Sequence, residues 1–225
     1  MLDHIEVRNA FRLRAETVVV STTGPTTLSA TPAGFVRPLG SFLTDGFAPG
    51  MEILPAGFNV ANNAPAVIES VTATTMTITG GRAAQVALAG RSVVSGLPLA
   101  RQWENTQTPY LNAPGVRPYV SEQWVPATFS LLSFPAAGGD VEESGLYILT
   151  WFGLANKGIL AIRRGVKALK AKFTPGTVLL ASGNAVRVWG NPGVLEGQLI
   201  PLENGYVSCQ LTIPWRGTSI NIVAA

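Results

Sequence analysis

Catalysis and metal binding need groups that titrate, attack or coordinate, and this chain carries few of them at useful spacing. Its one histidine, His4, lies close to the first residue, and its one cysteine, Cys209, sits on the apolar side of an alternating segment (Val207, Cys209, Leu211, Ile213). That separation offers no Ser-His or Cys-His pair for nucleophilic attack and too few soft ligands for a zinc-type site. His4 reads as a surface residue and Cys209 as a small core side chain. Glu142 and Glu143 are neighbours in sequence. In an extended chain they point to opposite sides, which is not the convergent carboxylate pair that general acid–base work requires. The Gly pairs at 80–81 and 138–139 lead into neither Gly-Lys-Ser/Thr nor G-x-G-x-x-G, so no phosphate loop is indicated. Nothing in these patterns argues for an enzyme, a cofactor or a metal.

Charge is the other route to chemistry, and it is concentrated in residues 157–173, KGILAIRRGVKALKAKF. Ile159, Ile162, Val166, Leu169 and Phe173 recur at helical spacing and define one apolar face. Lys157, Arg163, Arg164, Lys167, Lys170 and Lys172 occupy the rest, with no acid in the segment. A solvated face and a contact with an acidic protein surface both account for this helix. Direct nucleic-acid binding is the weaker reading, because the basic face has no aromatic side chain for base stacking and no base-reading spacing.

The elements that position these groups fall into three blocks. Residues 2–16 read as a helix anchored by Leu2, Ile5 and Phe11. Between Val18 and Gly96 there is no lysine, and Thr, Val, Gly and Pro dominate. Short strands are expected there at 17–21, 51–54, 67–71, 75–79 and 92–94. From Leu99 onward the pattern predicts strands at 128–134 and 146–152, the basic helix, and strands at 178–180 and 186–189. A hairpin across Glu203-Asn204-Gly205 follows, with arms at 195–202 and 206–213. Residues 135–145, rich in Gly and carrying Asp140, Glu142 and Glu143, read as a loop. The fold class expected is α+β: a mixed or antiparallel sheet packed against two helices, with an inserted all-β barrel or sandwich. The domains are then 1–16 plus 99–225 as a discontinuous core, and 17–98 as the insertion.

Only 13% of the residues are charged and 47% are hydrophobic, a balance that fits a globular subunit hiding much of its surface in an assembly. Asp3, Glu6 and Arg8 interrupt any signal-peptide pattern, and the apolar run 146–155 is about half the length of a membrane span. An intracellular, soluble chain without membrane contact is expected.

The order of motifs resembles the bacteriophage tail terminator (tail completion) family. An N-terminal helix is followed by Trp103-Glu104-Asn105 and by Pro-Tyr pairs at 109–110 and 118–119. Then come E-x-S-G-x-Y (Glu142 to Tyr147), a helix ending in F-x-P-G (Phe173 to Gly176), V-x-V (Val186 to Val188) and I-P-W-R (Ile213 to Arg216). The resemblance covers residues 1–16 and 99–217; block 17–98 departs from the short members of the family. It implies a tail-terminator-like α+β core and a structural virion subunit in the tail or neck, assembled in the host cytoplasm. Copies would close into a hexameric ring that ends tail-tube polymerisation and joins the tube to the head connector or head-completion protein. DNA would pass through the lumen without specific binding. Asp140, Glu142, Glu143, Arg163, Arg164, Lys167 and Lys170 are the candidate assembly contacts. Alternatives are another tail or neck component, such as a tube or head-completion subunit, and a carbohydrate- or surface-binding β-protein. The last would need clustered exposed aromatics, for which block 18–98 offers Phe35, Phe42, Phe47 and Phe58.

Overall fold

The computed structural model describes residues 2–103, 117–131, 140–181 and 184–220. Among them, the chain between Val19 and Gly96 winds into a closed barrel. Its strands are β1 (Val19–Thr22), β2 (Thr26–Thr31), β3 (Gly34–Val36), β4 (Glu52–Ala56), β5 (Ala66–Val71), β6 (Thr75–Ile78) and β7 (Gln85–Gly96). The hydrogen-bonded order β7-β2-β3-β6-β5-β4 closes on itself because β4 returns to β7, with Leu54 opposite Val94. Strand β7 can serve two partners because of its length. Its first half pairs β2, and its second half lies between β1 and β4. Closure removes the sheet edges that such short strands would otherwise expose.

The barrel interior is filled by Leu28, Phe35, Phe42, Phe47, Ile53, Ile68, Met76 and Val93. Gly34 is required where β3 crosses β6: its φ is +149°, and a Cβ there would stand 2.1 Å from the Met76 carbonyl oxygen. Arg91 is buried in the wall, donating to the carbonyls of Leu28 (2.7 Å) and Val86 (2.5 Å) with the Phe58 ring 4.6 Å away. All four phenylalanines that a sugar-binding surface would have used, Phe35, Phe42, Phe47 and Phe58, are buried.

The second sheet is a half-barrel of β8 (Ala100–Gln102), β9 (Tyr119–Leu131), β10 (Asp140–Leu154), β11 (Val178–Ala181), β12 (Asn184–Val188), β13 (Leu195–Pro201) and β14 (Tyr206–Ile220). Its order is β11-β12-β14-β10-β9-β8, with β13 also beside β14. Strands β10 and β14 run antiparallel in unbroken register from Asp140 opposite Ile220 to Leu154 opposite Tyr206. Strand alternation sends Tyr147, Leu149, Trp151, Cys209, Leu211, Ile213 and Trp215 to one face. That face is covered by α1 (His4–Glu16) and α2 (Leu160–Lys172).

Helix α1 starts at Asp3, whose carboxylate accepts the N–H groups of Ile5 (2.8 Å) and Glu6 (3.3 Å). Its buried seam is Val7, Phe11 and Ala15, with Phe11 stacked on Phe173 at 5.7 Å; Ile5, expected as an anchor, faces solvent. Helix α2 buries Ile162, Val166 and Leu169 as its periodicity predicts, whereas Ile159 precedes the helix and is exposed. The seat of α2 on β10 is reciprocal. The Trp151 indole lies on Gly165, where a Cβ would stand 2.5 Å from the ring. Conversely, Ile162 lies on Gly153, where a Cβ would stand 2.3 Å from the isoleucine side chain.

The α+β expectation is therefore corrected. The protein is mostly β, a closed six-stranded barrel beside a half-barrel sheet, with only two helices among the described residues. The difference comes from strands with weak sequence signals. Residues 26–36, rich in turn formers, make β2 and β3; residues 119–127 belong to β9; and the second hairpin arm runs on to Ile220. The two helices announce themselves because an amphipathic helix needs a long periodic stripe, whereas a short Thr- and Ser-rich strand needs only a few alternating positions.

Candidate assembly surface

Two features of the sequence shape the outward-facing chemistry: the basic side of α2 and the exposed strands of the half-barrel. On α2 the side chains of Arg163, Lys167 and Lys170 face solvent at one-turn intervals. Arg164 does not belong with them. It turns toward the barrel and donates to the carbonyls of Gly46 and, at 3.1 Å, Phe47. Ala161 joins the barrel core, and a Cβ on Gly50 would touch Lys157 Cβ at 2.8 Å. Helix α2 is thus wedged between the two β-structures, and Arg164 is a strut rather than a free contact.

The acidic candidates separate in the same way. Of the expected loop 135–145, residues 135–139 lie outside the described residues, and 140–145 are strand rather than loop, paired to β14 throughout. Asp140 opens β10 opposite Ile220; its side chain lies outside the described residues. Glu142 and Glu143 project to opposite faces of β10. Glu142 lies 2.8 Å from Arg216 Nε, and the Arg216 guanidinium rests 3.4 Å from the centre of the Trp189 ring. Glu143 is fully buried, accepting the Leu2 N–H at 2.8 Å and bonding His4 Nε2 at 2.9 Å. His4, expected as a surface residue, instead fastens the start of α1 to the sheet. Glu104 and Asn105 of the W-E-N motif lie outside the described residues.

Sequence reasoning missed a second buried carboxylate. Glu122 on β9 accepts Arg12 Nε (2.8 Å), a second Arg12 nitrogen and the Tyr147 hydroxyl (3.0 Å). Burial pushes the Tyr147 hydroxyl well above the ordinary tyrosine range, which keeps it protonated as the donor. The signal available was the alternation Val120, Glu122, Trp124, which places the acid on the core-facing side of its strand. Glu52 holds the barrel to the linker by accepting the Leu99 N–H at 2.7 Å. Desolvation raises its carboxyl pKa, partly opposed by that hydrogen bond and by Arg117 and Arg101.

Strand β13 is largely exposed and, among the described residues, pairs with β14 alone; Leu195 and Ile200 are about half exposed. On the same side of β14, beyond β12, β11 ends the sheet order and presents Val178 and Leu180, the latter 75% exposed. Between α2 and β13 runs a groove of about 480 Å³ lined by Arg163, Lys167, Glu196, Gly197, Gln198 and Leu199. A second groove of about 300 Å³ continues past Lys170 and Phe173 to Pro192 and Val194. A third of about 330 Å³ is bounded by Trp189, Trp215 and Arg216. Cys209 is buried with its thiol 3.4 Å from the Gly197 carbonyl oxygen, and burial pushes its pKa up, which disfavours the nucleophilic thiolate. No group of three potential metal ligands occurs among the described residues, and no helix there is long and apolar enough to cross a membrane.

Neither a protein-family model nor a curated protein matches the chain. One solved protein chain is similar over 58% of this chain and 83% of its own length, at 20% identity and a TM-score of 0.42, a likeness too loose to carry an argument about fold or function.

Proposed function

We propose that this chain is a structural subunit of a bacteriophage virion, a tail terminator whose copies close into a ring, hexameric in the family it resembles. The ring ends growth of the tail tube and meets the head connector on its other side, with DNA crossing the lumen unbound. The observation that carries this reading is the half-barrel with apolar side chains on its exposed strands: Val178 and Leu180 on β11, Leu195 and Ile200 on β13. Apolar side chains left exposed on neighbouring strands form a surface for association unless something covers them. Two different patches of this kind on one subunit suit head-to-tail contacts that repeat around a closed ring. The order of motifs supports the same reading, although the α+β core implied with it gives way to a mostly-β chain.

The test is the mass of the purified protein by native mass spectrometry, with negative-stain imaging. Closed rings are expected, and Leu180→Glu with Ile200→Glu should leave folded monomers. Open tubes of the wild-type protein would move the reading to a tube subunit. A wild-type protein that stays monomeric at every concentration reached would overturn the assembly reading.

A further inference from the structure

We propose that the furrow between α2 and β13 is a docking site for an acidic, extended segment of a different protein. One wall carries Arg163, Lys167 and Lys170, and among the described residues no carboxylate lies within ion-pair distance of any of them. Three like charges at i, i+4 and i+7 on one helix repel one another, which weakens an isolated helix unless an anion sits beside them. Arg163 and Lys167 line the same groove as residues 196–199, and Lys170 and Phe173 the same groove as residues 190–194. Helix and chain therefore run side by side, and the cations form a line along the furrow. Successive cations are separated by about 6 and 4.5 Å of helix rise. Alternate side chains of an extended peptide repeat every ~6.7 Å, so carboxylates at every second position meet successive cations.

The walls supply an apolar share as well. Leu199, Pro175, Pro192 and Val194 line the two grooves, which suits an apolar residue between the carboxylates. A second copy of this chain is a weaker occupant, because several of its acids are already held in ion pairs: Glu16 by Arg101, Asp45 by Arg37, Glu122 by Arg12 and Glu142 by Arg216. Nucleic acid is disfavoured too. Three cations release too few counterions to hold a duplex at physiological salt. Addition of a β-strand to β13 is also disfavoured: the bulge between Glu196 and Leu199, and Pro201 at the strand end, guard that edge. Recognition therefore runs through side chains rather than backbone pairing.

The site does not depend on the ring. Rings that bind no acidic peptide would sink the furrow alone, and a monomer that binds one would sink the ring alone. The experiment is fluorescence anisotropy of the full chain with three labelled probes: a peptide with Glu at alternate positions around one central Phe, the same peptide with Gln for Glu, and a short DNA duplex. The Glu peptide should bind and the Gln peptide should not. Lys167→Glu with Lys170→Glu should weaken binding about tenfold or more, since two attractive contacts become repulsive. Arg187→Glu, the same kind of charge reversal at an exposed position on β12, should leave binding unchanged while circular dichroism confirms that all variants fold. Equal affinity for the Glu and Gln peptides, an equal loss with Arg187→Glu, or tighter binding of the duplex at the same salt would each overturn the proposal.

Discussion

Gly165→Ala sets two opposing effects against each other at the seat of α2, and the geometry decides between them. Helix propensity alone favours alanine over glycine at an interior position by about 1 kcal/mol. Against this, the new Cβ would stand 2.5 Å from Trp151 Cη2 and 2.6 Å from Cζ2 and Cζ3. Carbon atoms in contact need about 3.5–4.0 Å, so the ring must withdraw by about 1 Å. The ring is a rigid plate, 6% exposed, packed in the main core. Overpacking of a filled site costs about 1–3 kcal/mol, and displacement of a rigid indole belongs in the upper part of that range. The net loss is then about 1–2 kcal/mol, or a fall in Tm of roughly 2–8 °C for a chain of this size. Urea titration followed by tryptophan fluorescence reads the shift in midpoint at constant m-value. In a Trp151→Leu background the clash is gone, so the same Gly165→Ala change should become stabilising, and the reversal measures the coupling between the two positions. A wild-type background in which Gly165→Ala leaves the midpoint unchanged or raises it would refute the interlocked seat.

Two further outcomes follow from the buried acids. Glu122→Ala removes the carboxylate that accepts from Arg12 and the Tyr147 hydroxyl, and should lower stability by about 3 kcal/mol, the lower end for breaking a buried pair because Arg12 keeps Asn9 and some solvent contact. Replacing both Arg12 and Glu122 with apolar residues should cost clearly less than the two single changes added together, as measured by denaturant midpoints. Glu52 has a carboxyl pKa raised above its ordinary value near 4.5, so the folded state holds that proton more tightly than the unfolded state. Stability at this site is therefore greatest at acid pH and falls as pH rises from the unfolded pKa through the raised folded one. Glu52→Gln, which keeps an acceptor for the Leu99 N–H, should remove that fall, so that its stability relative to wild type is higher at pH 7 than at pH 4; an equal difference at both pH values would show that Glu52 ionises without penalty.

Much of the site's character can be read from residue order, and much of its geometry cannot. The stripe of Arg163, Lys167 and Lys170 follows from helical periodicity, because an amphipathic helix buries its apolar face wherever it lands. Periodicity does not tell which cation meets a neighbour, and Arg164, one residue from Arg163, is taken by the barrel carbonyls of Gly46 and Phe47. Glu142 and Glu143 look equivalent in sequence, yet strand pleating sends one to Arg216 at the surface and the other into full burial beneath His4 and Leu2. That distinction requires knowing that 140–145 is a strand, which Gly138 and Gly139 just upstream obscure.

The amino-acid sequence by itself determined the two helices, the hairpin around residues 202–205, the apolar side of Cys209 and the concentration of lysines on one face. These depend on contacts within a few residues, where spacing and turn chemistry suffice. Only the tertiary structure decided that the protein is mostly β, because closure of a barrel depends on β7 meeting β2, β1 and β4 from distant parts of the chain. It also decided the anchoring of α1 by Glu143 and Glu122, more than a hundred residues away in sequence. Long-range pairing fixes which polar groups are buried together, and burial determines whether a carboxylate is a surface charge or a structural fastener.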